Sequence, residues 1–190
     1  MSRKGVQVFP PGSNAVASGI LVLVLVGILG LVLVAGVLAR SDYATGQNRA
    51  LEQPVPFSHQ HHVAGLGIDC GYCHTSVDQS QFAGVPPTHT CMTCHSQLWT
   101  NADMLEPVRQ SLKTDTPLKW ERVHDLADYV YFNHSVHVNN GVGCESCHGR
   151  VDRMPLMKQQ KSLTMSFCLD CHRDPAPNLR PADQITSYAQ

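Results

Sequence analysis

Polarity divides the chain into two unequal parts. No charged side chain occurs between Lys4 and Arg40, and positions 15–39 are almost all Leu, Val, Ile, Ala or Gly. A run with no polar face predicts a single helix about 37 Å long, enough to cross a hydrocarbon core of about 30 Å. A cleaved signal peptide has an apolar region of only about 7–15 residues, so an uncleaved membrane anchor is the expectation. Arg3 and Lys4 precede the run, and Asp42 answers Arg40 at once. The excess of positive charge before the helix then puts the N-terminus in the cytoplasm and residues 41–190 outside. Farther on, Asn101 and Asp103 are helix-start residues and Pro107 suits a first helical turn, followed by Val108 and Leu112. They predict a short helix, with a loop over 114–117. Pro175, Pro177 and Pro181 predict an extended C-terminal surface arm.

Composition adds a puzzle. Apolar side chains fill little more than a third of positions 41–190, even with the cysteines counted. Globular chains usually reach about 45–50% with glycine included, so something other than side chains is expected to fill this core. Acidic residues outnumber basic ones in the same stretch. No basic stripe exists to neutralise phosphates, so nucleic acid is not an expected partner.

The eight cysteines form four copies of one signature and leave none over: Cys70-Gly-Tyr-Cys73-His74, Cys91-Met-Thr-Cys94-His95, Cys144-Glu-Ser-Cys147-His148 and Cys168-Leu-Asp-Cys171-His172. CxxCH is the attachment motif of c-type haem. Two thiols three positions apart can reach the two vinyl groups on one porphyrin edge, and the adjacent histidine then lies under the iron. Zinc would use four cysteines per ion and needs no histidine directly after each pair. Disulfides within each CxxC would close only tiny loops and staple nothing distant. Four covalent haem c groups are therefore expected, held by Cys70, Cys73, Cys91, Cys94, Cys144, Cys147, Cys168 and Cys171, with His74, His95, His148 and His172 as proximal ligands. Helices are expected to be short throughout, since covalent haems replace much of the scaffold.

The outer part repeats. Phe57-Ser-His59-Gln-His-His62-Val63 returns as Phe132-Asn-His134-Ser-Val-His137-Val138, and the CxxCHxxVD block at 70–78 returns at 144–152. A further CxxCH follows each, at Cys91 and at Cys168. This pattern reads as a duplicated two-haem unit. Four more axial ligands complete four six-coordinate irons, and the repeat offers four equivalent candidates, His59, His62, His134 and His137. Histidines at i and i+3 point the same way from one turn, so one turn can serve two haems. His59 is expected on the Cys70/Cys73 haem and His134 on the Cys144/Cys147 haem; His62 and His137 would reach other haems. His124 has no repeat partner and reads as a hydrogen-bonded linker histidine, with ligation as the alternative. Met165 is a further candidate ligand. Trp99, Trp120, Tyr129, Tyr131 and Phe132 read as haem-packing or core residues rather than electron relays.

Alternating FxHxxH and CxxCH elements resemble the class III-type multihaem cytochromes c with bis-histidine ligation. The run Trp120-Glu-Arg-Val-His124 through Phe132-Asn-His134-Ser-Val-His137 to Cys144 is more specific. With the Phe57–Val63 block and Phe82-Ala-Gly-Val-Pro-Pro, it resembles the multihaem cytochrome c subunit of bacterial alternative complex III over residues 55–175. That resemblance implies a quinol:acceptor oxidoreductase in the bacterial cytoplasmic membrane, with the haem domain on the periplasmic side. Iron–sulfur and polytopic membrane subunits would feed electrons to this chain, and a monohaem cytochrome c or soluble carrier would take them. The family usually carries five haems, whereas this chain has four CxxCH motifs.

The expected fold is one N-terminal transmembrane helix plus a haem-organised, mostly coil domain with short α-helices. Its segments are a cytoplasmic N-terminus (1–14), the transmembrane anchor (15–39), a linker (40–56), a first two-haem repeat (57–99), a connector (100–131), a second two-haem repeat (132–173) and a C-terminal arm (174–190). An alternative reading is a membrane-anchored tetrahaem quinol dehydrogenase serving periplasmic nitrate or nitrite reductases. The long stretch between Arg40 and Cys70, and the FxHxxH repeats, fit it poorly. A multihaem enzyme would need an open sixth site, against which four distal histidines for four irons argue.

Overall fold

The computed structural model describes residues 8–188. Arg3 and Lys4, on which the expected topology rests, lie outside the described residues. The chain forms two compact units, Met1–Thr45 and Gly46–Gln190. In the first, α1 spans Ser13–Ala39, starting slightly before the apolar run, and the short α2 spans Asp42–Thr45. The 27-residue α1 buries none of its side chains, and its length and composition suffice to cross a membrane. The helix begins after Gly12, where Ser13 N–H donates to the Pro10 carbonyl at 3.0 Å.

The second unit is poor in regular structure. In chain order it contains a π-helical turn Gln60–Gly65, α3 (Cys70–Cys73), α4 (Thr88–His95), α5 (Glu106–Thr114), α6 (His134–Asn139), α7 (Cys144–His148) and α8 (Met165–Arg173), joined by coil and 3-10 turns. Among the described residues no β-strand forms; isolated antiparallel bridges join Ala50 to Lys158 and Val142 to Leu179. Local chemistry sets the ends of these helices. Asp69 caps α3 by accepting from Gly71 N–H at 2.7 Å, and Asn133 caps α6 by accepting from Ser135 N–H at 3.0 Å. Pro107 lies in the first turn of α5, and Asp115 ends it in the left-handed conformation (φ 51°).

The polypeptide core is small. Among the described residues the buried apolar side chains are Val55, Leu105, Val108, Val151 and Met154. Val55, Leu105 and Val108 pack together, with Cys91, Met92, Ala102, Leu118 and Trp120 partly buried against them. Thr88 and Ser111 join α4 to α5 through a hydroxyl pair at 2.6 Å. Trp120 thus packs in the polypeptide core. This cluster is the apolar seat of α4, so Leu105→Ala is expected to cost about 2–4 kcal/mol. Thermal unfolding of the haem-loaded protein checks it, and a transition indistinguishable from wild type would contradict that role.

Candidate haem-binding sites

Each CxxCH motif lies on a helical turn. Cys70 and Cys73 are the first and last residues of α3, Cys91, Cys94 and His95 close α4, α7 runs from Cys144 to His148, and α8 carries Cys168, Cys171 and His172. An i, i+3 spacing on a helix sets both thiols on one face. None of the eight cysteines pairs in a disulfide, and all but the exposed Cys94 are half-buried. Gly149, left-handed at φ 70°, ends α7; a Cβ there would collide with Gln160, whose side-chain oxygen accepts from Arg150 N–H.

The remaining expected ligands lie on two matching turns. Phe57 stacks on His62 at 4.4 Å and meets His59 edge-on at 4.9 Å; Phe132 stacks on His137 at 4.5 Å and meets His134 edge-on at 4.8 Å. His62 Nδ1 bonds the Ser58 carbonyl at 2.8 Å, and His137 Nδ1 bonds the Asn133 carbonyl at 2.8 Å. His134 Nδ1 bonds the Gln81 carbonyl at 2.9 Å, His74 Nδ1 the Gly84 carbonyl at 2.7 Å, and His95 Nδ1 the Leu98 carbonyl at 3.1 Å. A carbonyl can only accept, so Nδ1 carries the proton in all five rings. That leaves the Nε2 lone pair available to a metal. His59 Nδ1 is buried without a partner.

These turns face the CxxCH helices. The ring centroids lie 6.2 Å apart for His62 and His95, 6.3 Å for His134 and His148, and 6.1 Å for His137 and His172. Each pair joins one FxHxxH histidine to one CxxCH histidine. Two imidazoles that each hold one metal at about 2 Å bring their centroids to about 6 Å. Spacing, tautomers and adjacent thiols therefore fit a bis-histidine haem c. For the first site, burial pushes His59 down to about 4, with the charges of His74 and then His62 adding to it. Burial pushes His148 down to about 3, helped by His124, His134, His74 and His59. Both rings are therefore held in the neutral form a metal requires.

Direct contacts join neighbouring sites. Tyr72, inside the first motif, hydrogen-bonds Thr93, inside the second, at 3.0 Å. Cys147 and Cys171, of the third and fourth motifs, line one cavity of about 310 Å³ with Ser146, Phe167, Asp170 and Asn178. The first and third sites share two supports. The 81–84 loop supplies the carbonyls for His134 and His74. The C-terminal arm supplies the Ile185 carbonyl to Cys144 N–H at 3.1 Å, while Thr186 Oγ1 donates to the capping Asp69 at 2.6 Å. Arg180 adds an ion pair to Glu145 at 2.8 Å. Proline content predicts an extended arm; instead it turns twice, through Ala176–Asn178 and Ala182–Gln184, and ties two motifs together.

Of the other histidines, His61 is exposed beside Trp99, with ring centroids 5.9 Å apart, and His89 is exposed on the first turn of α4. Met165 is exposed at the start of α8. His124 lies against His148, its Nε2 3.3 Å from His148 Nδ1. Sequence reasoning missed the ties made by the arm and the carbonyl supports, which no residue type marks.

Residues 130–184 match the family described as cytochrome c7 and related cytochrome c. Over this stretch the chain is similar to multihaem cytochromes c. Covalently bound haem c is the cofactor such cytochromes carry. The chain is 32% identical over 144 residues to the menaquinone reductase, multihaem cytochrome c subunit, of Nitratidesulfovibrio vulgaris, over 73% of this chain and 62% of the relative. It thus spans about three-fifths of the length of the curated relative it matches.

Proposed function

We propose that this chain is a membrane-anchored tetrahaem cytochrome c that carries electrons within a quinone-linked oxidoreductase complex. The observation that carries this reading is the recurrence of a CxxCH histidine opposite an FxHxxH histidine at 6.1, 6.2 and 6.3 Å. The assignments follow from those pairs and, for the first site, from the burial of His59 beside His74: His59 with His74, His62 with His95, His134 with His148, and His137 with His172. Cys70 and Cys73, Cys91 and Cys94, Cys144 and Cys147, and Cys168 and Cys171 are the thioether anchors of the same four sites. Haem bound there supplies one-electron exchange between ferric and ferrous iron. The polypeptide orients the imidazoles through backbone carbonyls and holds the sites in the order second, first, third, fourth. Matching geometry at Phe57–His62 and Phe132–His137 supports a duplicated two-haem unit. The apolar, unburied α1 supports a single membrane anchor, and the positive charges of Arg3 and Lys4 before it support a haem unit on the outer side of the cytoplasmic membrane.

The resemblance of residues 55–175 to the multihaem subunit of alternative complex III supports a path that starts at quinol-oxidising and iron–sulfur subunits. It ends, on this reading, at a monohaem cytochrome c or soluble carrier. The name of the relative from Nitratidesulfovibrio vulgaris favours a second reading, in which electrons run toward menaquinone. Purification in mild detergent, followed by identification of co-purifying subunits, tests the shared claim. The expected result is a complex with iron–sulfur and polytopic membrane subunits, whereas a solitary chain reduced directly by quinol would contradict it. Within that complex, rapid haem reduction by a menaquinol analogue supports the first direction. Rapid oxidation of pre-reduced haems by a menaquinone analogue supports the second.

A further inference from the structure

The third site differs from its neighbours in what holds its proximal imidazole. His74 and His95 each give Nδ1–H to a backbone carbonyl, of Gly84 and Leu98. His148 Nδ1 instead faces Nε2 of His124 at 3.3 Å, with the rings 4.4 Å apart and at 80°. The repeat has no counterpart: the offset that carries Phe132 back onto Phe57 carries His124 back onto Arg49. The connector that carries His124 is pinned in place. Gln53 Nε2 donates to the Glu121 carbonyl, and Glu121 N–H donates back to Gln53 Oε1, each at 3.0 Å. Arg122 and Asp125 close the turn around His124 with an ion pair at 3.3 Å.

The geometry of the pair opposite is also distinct. The His134 and His148 rings are tilted by only 8°, against 65° for His62 and His95 and 76° for His137 and His172. His134 has its plane fixed by the Gln81 carbonyl, so the near-parallel arrangement depends on what fixes His148.

Resting on the bis-histidine reading above, we propose that His124 is a positioning residue for the third haem: it accepts the Nδ1–H of His148, holds that ring parallel to His134, and raises its basicity. When His148 ligates through Nε2, its proton lies on Nδ1 and His124 must present a bare Nε2. An imidazole nitrogen is a stronger acceptor than a peptide carbonyl. It therefore draws His148 toward imidazolate, which favours ferric iron and lowers the potential of that one site. Near-parallel imidazoles also give a rhombic low-spin ferric signal, whereas strongly tilted ones give a highly anisotropic signal, so the third haem should be separable by EPR.

The test uses the full-length, haem-loaded protein as wild type, His124→Phe and His124→Gln. Denaturing mass spectrometry comes first: a wild-type chain short of four haems would count against the tetrahaem reading rather than against the role of His124. With the haem count intact, the proposal expects His124→Phe to move a single potential upward and to broaden or shift the rhombic signal. It expects His124→Gln, which keeps a carbonyl acceptor, to move the same potential upward by less and to retain the signal. Unchanged potentials and spectrum in His124→Phe overturn the proposal, as does an equal shift of all four. If the Phe variant does not assemble, the Gln variant decides: one potential raised supports the assignment, and four unchanged potentials overturn it.

Discussion

On the proposed ligation, replacing His134 by alanine is expected to leave four haems attached and to open one of them. The thioether anchors Cys144 and Cys147 and the proximal His148 all remain. Only the imidazole 6.3 Å from His148, steered by the Gln81 carbonyl, is gone. One quarter of the oxidised haem is expected to turn from low-spin to high-spin, and the reduced protein gains a carbon monoxide difference spectrum that wild type lacks. Loss of an imidazole donor also raises the potential of that site, because electron donation to ferric iron falls. The third site is joined to the first through the 81–84 loop and the C-terminal arm, so a change there acts on traffic between the two halves. Electron transfer through the complex is expected to fall by about tenfold or more, on the scale of disturbed metal-ligand sets. A wholly low-spin spectrum with no carbon monoxide response would remove His134 from the ligand set.

A second large effect concerns folding. When haem attachment is blocked, by expression without the maturation machinery or by serine at all eight cysteines, the Gly46–Gln190 unit is expected to lose its structure. Only Val55, Leu105, Val108, Val151 and Met154 form its buried apolar set among the described residues, while ordering each residue costs roughly 1–2 kcal/mol of backbone entropy. The longest helices of this unit, α5 and α8, have nine residues each, too few to stand alone in water. Removing only Cys168 and Cys171 should be milder, because the fourth site lies at the end of the series. Circular dichroism and proteolysis check both variants; a haem-free unit with native helicity and protease resistance would contradict a core built from porphyrin.

Much of the site is legible in the sequence because its chemistry is local. CxxCH needs one helical turn, and an FxHxxH turn carries its own phenylalanine stack and its own i−4 carbonyl for His62 and for His137. Local signals also mark α5 through Pro107, and α1 through its long uncharged run. The partners of His62 and His137 are not legible. Which CxxCH helix faces which turn depends on contacts far apart in the chain, such as Tyr72 with Thr93. Nor is the structure of the arm, since its ties run through the backbone groups of Cys144 and Ile185 and through Thr186, none of which a proline-rich composition reveals. His124 reads only as an unmatched histidine until His148 is seen beside it.

The central claim is four covalent haems, one at each CxxCH motif. The mass of the purified chain under denaturing conditions tests it most directly. The account predicts the polypeptide plus four haems, falling to three in a Cys91→Ser, Cys94→Ser variant. A wild-type chain with fewer than four, or one whose haem is lost on denaturation, would contradict it.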